Sequence, residues 1–248
     1  MRDDDTSRER GSALIYILIA IALLAALTIA FMGSSNQQTQ SQNAFKTVSE
    51  LQSQIEFVRS TVQECVLSHP GGDARRPGVP DAYVAGIPNG PGESDEGADH
   101  RYPIKPNSTY FSGATLGPTA GRLVKDIRCP GNPGDDVNHV VLFGGASGKF
   151  MPPPPPLFND WQWYNGNDGV FFWISTQKTD SFIQTALDKL NEAFSTCEAD
   201  KIDATSADVP LDSDGTVKCA SGSYCFRVWM KANMATAVFP DESADCHP

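Results

Sequence analysis

The feature that most constrains this chain is an unbroken apolar run near its N-terminus. Residues 13–32 read ALIYILIAIALLAALTIAFM, twenty residues without a charge. A helix needs about 20 apolar residues to cross the hydrocarbon core of a bilayer, and its backbone groups bond internally, as lipid requires. The run therefore predicts a membrane-spanning helix over residues 12–33. An ordinary secretory signal has a shorter apolar core, of about 7 to 15 residues.

The charges that flank this run predict its orientation. Arg2, Arg8 and Arg10 precede it, and the first lysine or arginine after it is Lys46. Lys and Arg near a membrane span stay on the cytoplasmic side. We therefore expect residues 1–11 in the cytoplasm and the C-terminal domain on the other side of the membrane.

Composition limits what the rest of the chain can do. Roughly 215 residues follow the predicted span, enough for one domain with its own core. The formal net charge is −11, and without a basic patch nucleic acid is excluded as a partner. The histidines are scattered and show no metal-binding spacing such as H-E-x-x-H. The sequence therefore predicts no enzyme, although catalytic groups can also assemble from distant residues.

A second helical pattern follows the apolar run, over residues 34–68. Its apolar residues recur at alternating steps of four and three, which is a heptad seam: Ala44, Val48, Leu51, Ile55, Val58, Val62 and Cys65. The helix is expected to end near Ser68, before Pro70 and two glycines. The seam fits either a coiled-coil stalk or the sheet of a following domain, and the pattern alone does not decide.

The junction between the leader and the apolar run carries a family resemblance. Arg8-Glu-Arg-Gly11 followed by Ser12-Ala-Leu-Ile-Tyr16 resembles the start of type IV pilin-like proteins, and an amphipathic helix in series with a membrane helix is their layout. The resemblance implies that a prepilin peptidase cleaves between Gly11 and Ser12. It also implies a single-pass protein of the inner membrane with a periplasmic domain. Residues of the membrane helix would pack against other pilin-like subunits in a filament: Leu14, Tyr16, Leu18, Leu23 and Leu24.

The chain departs from the family at one position. Tyr16 occupies the fifth position after the cleavage site, where the family has Glu. That Glu is thought to neutralise the N-terminal amine of a neighbouring subunit, and a buried unpaired charge is costly. A subunit without it is similar to the K-type minor pseudopilin of type II secretion systems and to some minor pilins. The resemblance therefore implies a structural subunit near a filament tip, acting in pilus assembly or protein secretion.

Two other functions remain open on the sequence alone. One is an uncut single-pass anchor whose outer domain binds a ligand or partner. The other is an anchored exported enzyme, which would need a cluster of polar groups with perturbed pKa values.

Residues 69–248 are expected to form one globular α+β domain with an antiparallel sheet. Thr179 or Asp180 can cap a helix that runs to Cys197. A hairpin is predicted with its turn at residues 165–169. Further strands are predicted at 122–129, at 138–143, at 216–219 paired with 224–230, and near 235–239.

The predicted hairpin is the candidate contact surface. Seven aromatic residues lie between Phe158 and Trp173. One face of the hairpin should fill the core, but the whole set is hard to bury, and aromatic residues are enriched at interfaces. The side chains assigned to this surface are Trp161, Trp163, Tyr164, Phe172 and Trp173.

The cysteines indicate disulfides and an oxidising compartment. Their number is even, they lie beyond the predicted span, and no pair has C-x-x-C spacing: Cys65, Cys129, Cys197, Cys219, Cys225 and Cys246. Although 15 pairings are available, we expect local ones. Cys65 with Cys129 would tie the helix end to a strand, and Cys219 with Cys225 would close a hairpin.

One acidic turn is a weak calcium candidate. Asp208, Asp212 and Asp214 can supply oxygen ligands around Gly215. Pro210 interrupts the full D-x-D-x-D-G pattern, and Asp-Ser-Asp-Gly is also an ordinary turn sequence. The sequence predicts no other cofactor.

Overall fold

The computed structural model describes residues 6–70, 72, 99, 101–103, 122–129, 140–233 and 237–239, and it describes their side chains except at 6–15, 26–39, 140 and 146. The chain divides into two compact units, Met1–Lys46 and Thr47–Pro248. Over the described residues, the architecture is α+β with an antiparallel sheet, as predicted.

Helix α1 spans Thr6–Ser68, and the boundary between the two units lies within it. It ends at the predicted residue. In the first unit, the side chains of residues 16–25 are exposed to solvent. Within the part of the chain that the structure describes, no helical stretch has the length and hydropathy of a membrane span. More than half of the span predicted from the sequence, residues 12–15 and 26–33, lies outside the residues whose side chains are described.

In the second unit, α1 packs through its predicted seam. Leu51, Ile55, Val58 and Val62 are fully buried and belong to the main core, together with Cys65. The seam therefore packs on the domain of its own chain. This contact decides between the two alternatives that the heptad pattern left open, against the coiled-coil stalk.

A four-stranded antiparallel sheet with the order β3-β4-β8-β5 forms the centre of the second unit. Strand β3 spans Gln162–Gly166, β4 spans Gly169–Thr176, β5 spans Ala199–Ala204 and β8 spans Ser223–Ala232. Strands β3 and β4 form the predicted hairpin, with Gly166 opposite Gly169 in the register. The predicted helix after it is α2, Ser181–Glu192, which ends five residues before Cys197.

Several short elements complete the second unit. Strand β1, Arg128–Cys129, pairs with β2, Val140–Val141, and β6, Val209–Pro210, pairs with β7, Lys218–Cys219. The strand predicted at 122–129 is wrong over most of its length, because a 3-10 turn at Val124–Asp126 breaks it before β1. Of the strands predicted at 138–143 and 235–239, residues 138–139 and 235–236 lie outside the described residues, and residues 237–239 form no strand.

The pairing predicted between 216–219 and 224–230 is also wrong. Strand β8 pairs with β4 on one side and with β5 on the other, so neither of its edges is left for β7. A disulfide between Cys219 and Cys225 joins the two segments instead. The sequence did not indicate β5, because Ala-Asp-Lys-Ile-Asp-Ala has one large apolar residue and shows no apolar alternation.

The two faces of the sheet bury separate clusters. Trp163 and Phe172 belong to the cluster that includes the seam of α1 and the apolar residues of α2. Tyr164, Phe171 and Trp173 belong to the other cluster, which includes Leu211, Val217 and Cys219 from the segment around β6 and β7. The sheet is therefore the middle of three layers.

Candidate functional site

The first candidate site is the exposed apolar segment of α1. Seven of the twelve exposed large hydrophobic side chains in the described residues lie between Tyr16 and Leu24. Tyr16, Leu18, Leu23 and Leu24 are among them, with 58 to 70% of each exposed. Large exposed apolar surfaces are uncommon on monomeric soluble proteins, so this segment is a candidate contact site. Gly11, Ser12 and Leu14 belong to α1 but lie outside the residues whose side chains are described.

The aromatic hairpin is not a contact surface, which corrects the expectation from the sequence. Trp161, Trp163, Tyr164, Phe172 and Trp173 are each at most 3% exposed. The physical reason is the third layer: side chains on one face of the hairpin pack on the helices, and those on the other face pack on the segment around β6 and β7. The aromatic side chains, too many for one core, are divided between two buried clusters, one on each face of the sheet.

A buried ion pair joins the sheet to this third layer. The guanidinium of Arg227 on β8 donates two hydrogen bonds of 3.0 Å to the carboxylate of Asp200 on β5, and a third to the carbonyl oxygen of Leu211. It also lies 4.5 Å from the ring centre of Trp229. Burial raises the pKa of Asp200, and the charge of Arg227 acts against that rise. The pair has no signal in the sequence, since its partners are 27 residues apart.

A second buried carboxylate lies at the hairpin turn. Asp99 is 2% exposed and accepts hydrogen bonds of 2.9 Å from Arg101 and from Lys231 on β8. Burial by itself would raise its pKa, but the hydrogen bonds from Arg101 and Lys231 outweigh that effect and lower it to about 2. The backbone N–H of Asp99 donates to Asn165. These contacts hold Asp99, which lies between α1 and β1 in the chain, against the sheet.

The three aspartates of the candidate calcium turn each accept hydrogen bonds from neighbouring backbone N–H groups. Asp208 accepts a hydrogen bond from the N–H of Ser221, and Asp214 accepts one from the N–H of Thr216. Asp212 accepts bonds from the N–H of Val217 and the hydroxyl of Thr216. Burial raises the pKa of Asp212, and Asp214 adds to the rise. Among the described residues, the three carboxylates do not come together as one set of ligands.

The most concentrated set of ligand groups lies where α1 meets β1. Cys65 and Cys129 form a disulfide, with Cα atoms 5.8 Å apart. Nδ1 of His69 lies 3.4 Å from Sγ of Cys129. The three side chains line a pocket of about 220 Å³, along with Glu64 and Lys149, which form an ion pair. The sequence signal that could have found this site is the four-residue spacing between Cys65 and His69, which does not point to Cys129 as the third member.

Both disulfide pairings expected from the sequence are confirmed. Cys65 is bonded to Cys129, 64 residues away, and Cys219 is bonded to Cys225, 6 residues away. Cys197 is disulfide-bonded as well, and Cys246 lies outside the described residues. The disulfides tie α1 to β1 and the third layer to the sheet.

No protein-family model, no curated protein and no solved structure matches this chain.

Proposed function

We propose that this chain is a pilin-like structural subunit held in the inner membrane, a minor pilin or pseudopilin near the tip of a type IV pilus-like or type II secretion filament. The observation that carries this proposal is helix α1. It is one helix of 63 residues. Its apolar side chains are exposed at residues 16–25, whereas those of its seam, at Leu51, Ile55, Val58 and Val62, are buried on an antiparallel sheet.

The exposed segment supports membrane storage and filament packing. Its ten described residues lie inside the uncharged run of residues 13–32, and burying their apolar surface is favourable at about 25 cal/mol per Å². Lipid would cover this surface while the subunit waits in the membrane, and the helices of other pilin-like subunits would cover it in a filament. The proposed partners are therefore the inner membrane, other pilin-like subunits and a prepilin peptidase.

Tyr16 supports a position at the filament tip. Its side chain is 70% exposed, and a phenol hydroxyl does not supply the carboxylate charge that would balance the N-terminal amine of another subunit. A subunit at the tip has no earlier subunit whose amine needs neutralising. The disulfides of the second unit also suit the oxidising periplasm.

The deciding experiment is the mass of the N-terminal peptide in cells with and without a prepilin peptidase. We expect a peptide that starts at Ser12 only when the peptidase is present. Gly11→Val should block this cleavage, and Gly33→Val, beyond the apolar run, is the matched control. An intact Met1 in both strains would overturn the pilin proposal and favour the uncut anchor with a binding domain.

The tip position has its own test. Gold-labelled antibody against this chain should decorate one end of sheared filaments, and Tyr16→Glu should admit the subunit into the shaft. Label along the shaft with the natural sequence would contradict the tip position and leave the pilin class unaffected.

A further inference from the structure

We propose that Cys65, His69 and Cys129 form a metal site when the disulfide between the two cysteines is reduced, and that this site takes Zn²⁺ or a cation of similar size and softness. The proposal goes beyond the structural role above and does not depend on it. It assigns a ligand to the pocket between the end of α1 and β1.

The geometry supports three ligands from two elements. His69 lies one helical turn after Cys65, and its N–H donates to the carbonyl oxygen of Cys65 at 3.0 Å, which places both side chains on one side of the helix end. Cys129 approaches from β1. The three ligand atoms all lie within 4.8 Å of one another.

These distances are close to what a tetrahedral zinc site needs. With Zn–S bonds of about 2.3 Å and Zn–N bonds of about 2.0 Å, neighbouring ligand atoms lie about 3.5 to 3.8 Å apart. The 3.4 Å between Nδ1 of His69 and Sγ of Cys129 is near that spacing already. The two sulfur atoms have to separate, which they can do once their bond is broken.

A purely structural disulfide does not account for the histidine. The pair Cys219–Cys225 is also buried. Within the described part of the chain, however, it does not form a group of three metal-binding side chains with a histidine or a carboxylate. Among the described residues, the set of Cys65, His69 and Cys129 is the one group of three or more metal-binding side chains. The difference between the two disulfides gives the proposal an internal control.

The pocket gives a cation room and access. The pocket has a volume of about 220 Å³, and all three ligands line it. One water molecule occupies only about 30 Å³ in the liquid. Three protein ligands leave the fourth tetrahedral position open. A water molecule in the pocket would fill that position, and the opposite charges of Glu64 and Lys149 on the pocket wall balance each other.

The redox step balances with a thiol reductant. Two electrons from a dithiol break the sulfur–sulfur bond, each cysteine sulfur takes up one proton, and the reductant leaves as its own disulfide. Zn²⁺ then displaces both thiol protons and binds two thiolates and one neutral imidazole, with a net charge of zero. Because the same two sulfur atoms serve both states, the disulfide and the bound metal exclude each other.

The test uses the full chain in detergent, reduced with a dithiol and freed of it by anaerobic desalting. Co²⁺ is the probe, since its absorption shows thiolate-to-metal charge transfer and tetrahedral geometry. We expect one Co²⁺ per reduced chain with both signatures, its displacement by Zn²⁺, and neither signature with the oxidised chain.

Variants locate the site. Cys65→Ser with Cys129→Ser should abolish the charge-transfer band, while Cys219→Ser with Cys225→Ser should leave it unchanged. His69→Ala should weaken Co²⁺ binding at least tenfold, because even partners that only support a ligand typically contribute 10- to 100-fold in metal affinity.

Three results would overturn the proposal. The first is that the reduced chain with its natural sequence binds no Co²⁺. The second is that the chain with Cys65→Ser and Cys129→Ser keeps the charge-transfer band. The third is a loss of the near-ultraviolet circular dichroism of the tryptophans on reduction, since the pocket would then not survive without its disulfide.

Discussion

At Gly169 the backbone leaves no room for a side chain. Its φ is +118°, and a Cβ there would lie 2.2 Å from the carbonyl oxygen of Lys231 on the neighbouring strand. We expect Gly169→Ala to lower the free energy of unfolding by more than about 2 kcal/mol, because a backbone atom has to move. Urea denaturation followed by tryptophan fluorescence measures this, since all four tryptophans lie in the second unit.

Gly222 supplies the matched control for Gly169. It also has a positive φ, +80°, but nothing lies within 4 Å of the place a Cβ would take. Gly222→Ala should therefore lower the free energy of unfolding by about 1 kcal/mol, from backbone strain alone. Equal losses in the two variants would contradict the close approach of β4 and β8 at Gly169.

The low pKa of Asp99 makes stability depend on pH. The pKa is about 2 in the folded chain, against an ordinary value of 3.8. A carboxyl group whose pKa is lowered by folding stabilises the fold at pH values above its ordinary pKa. This contribution is lost as the pH falls from about 4 to about 2. The difference corresponds to about 2 kcal/mol. We expect Asp99→Asn to remove this part of the acid dependence in unfolding curves recorded between pH 2 and pH 6.

Asp188 is the control for Asp99. Its carboxylate forms an ion pair with Lys201 while 58% of its side chain remains exposed, and exposed pairs contribute little to stability. Asp188→Asn should leave the acid dependence close to that of the natural sequence. A curve for Asp99→Asn that also matches the natural one would show that Arg101 and Lys231 do not hold Asp99 ionised.

At the scale of elements, the seam of α1 carries much of the packing between helix and sheet. Leu51 is fully buried in the main core, whereas Leu67, four turns further along the same helix, is 79% exposed. Leu51→Ala should lower the free energy of unfolding by about 2 to 5 kcal/mol. Leu67→Ala should change it by less than about 0.5 kcal/mol. Similar small effects of both substitutions in urea denaturation would contradict the packing of the seam on the sheet.

The exposed apolar segment leads to a prediction about the membrane. Leu23 lies near the middle of the run at residues 13–32 and is 66% exposed. Leu23→Arg should disfavour insertion by about 2.5 to 3.5 kcal/mol, the penalty for arginine at the centre of a spanning helix. The measurement is the fraction of chain that stays in the membrane pellet after alkaline extraction. Leu67→Arg is the control, and equal retention of the two variants would contradict insertion of this segment.

At the scale of the whole molecule, the disulfides Cys65–Cys129 and Cys219–Cys225 should contribute unequally to stability. Cys65–Cys129 closes a loop of 64 residues and Cys219–Cys225 closes one of 6. Loop-closure entropy gives about 4 kcal/mol for the first and about 2 kcal/mol for the second. Replacing both cysteines of a pair by serine should therefore destabilise the second unit more at the first pair in urea denaturation. An equal or reversed order would show that strain or residual structure in the unfolded chain dominates.

Short-range patterns were sufficient for much of the fold. The end of α1 at Ser68, the buried seam, the β3–β4 hairpin and α2 all follow from apolar spacing and turn residues within a few positions of one another. Such signals are local, because a helix repeats every 3.6 residues and a tight turn needs only two to four. The pairing of Cys219 with Cys225, six residues apart, also belongs to this group.

Tertiary structure decided what the seam contacts, which strands pair with β8 and whether the aromatic hairpin is exposed. The hairpin is buried because the segment around β6 and β7 covers its second face, and β5 is placed by its pairing with β8 and the contact of Asp200 with Arg227. The pocket of His69 also needs Cys129, 60 residues away. The sequence by itself determined α1, α2, the β3–β4 hairpin and the apolar run at residues 13–32, because these depend on neighbours along the chain. Contacts between distant residues depend on how whole layers pack, so only the folded structure decided them.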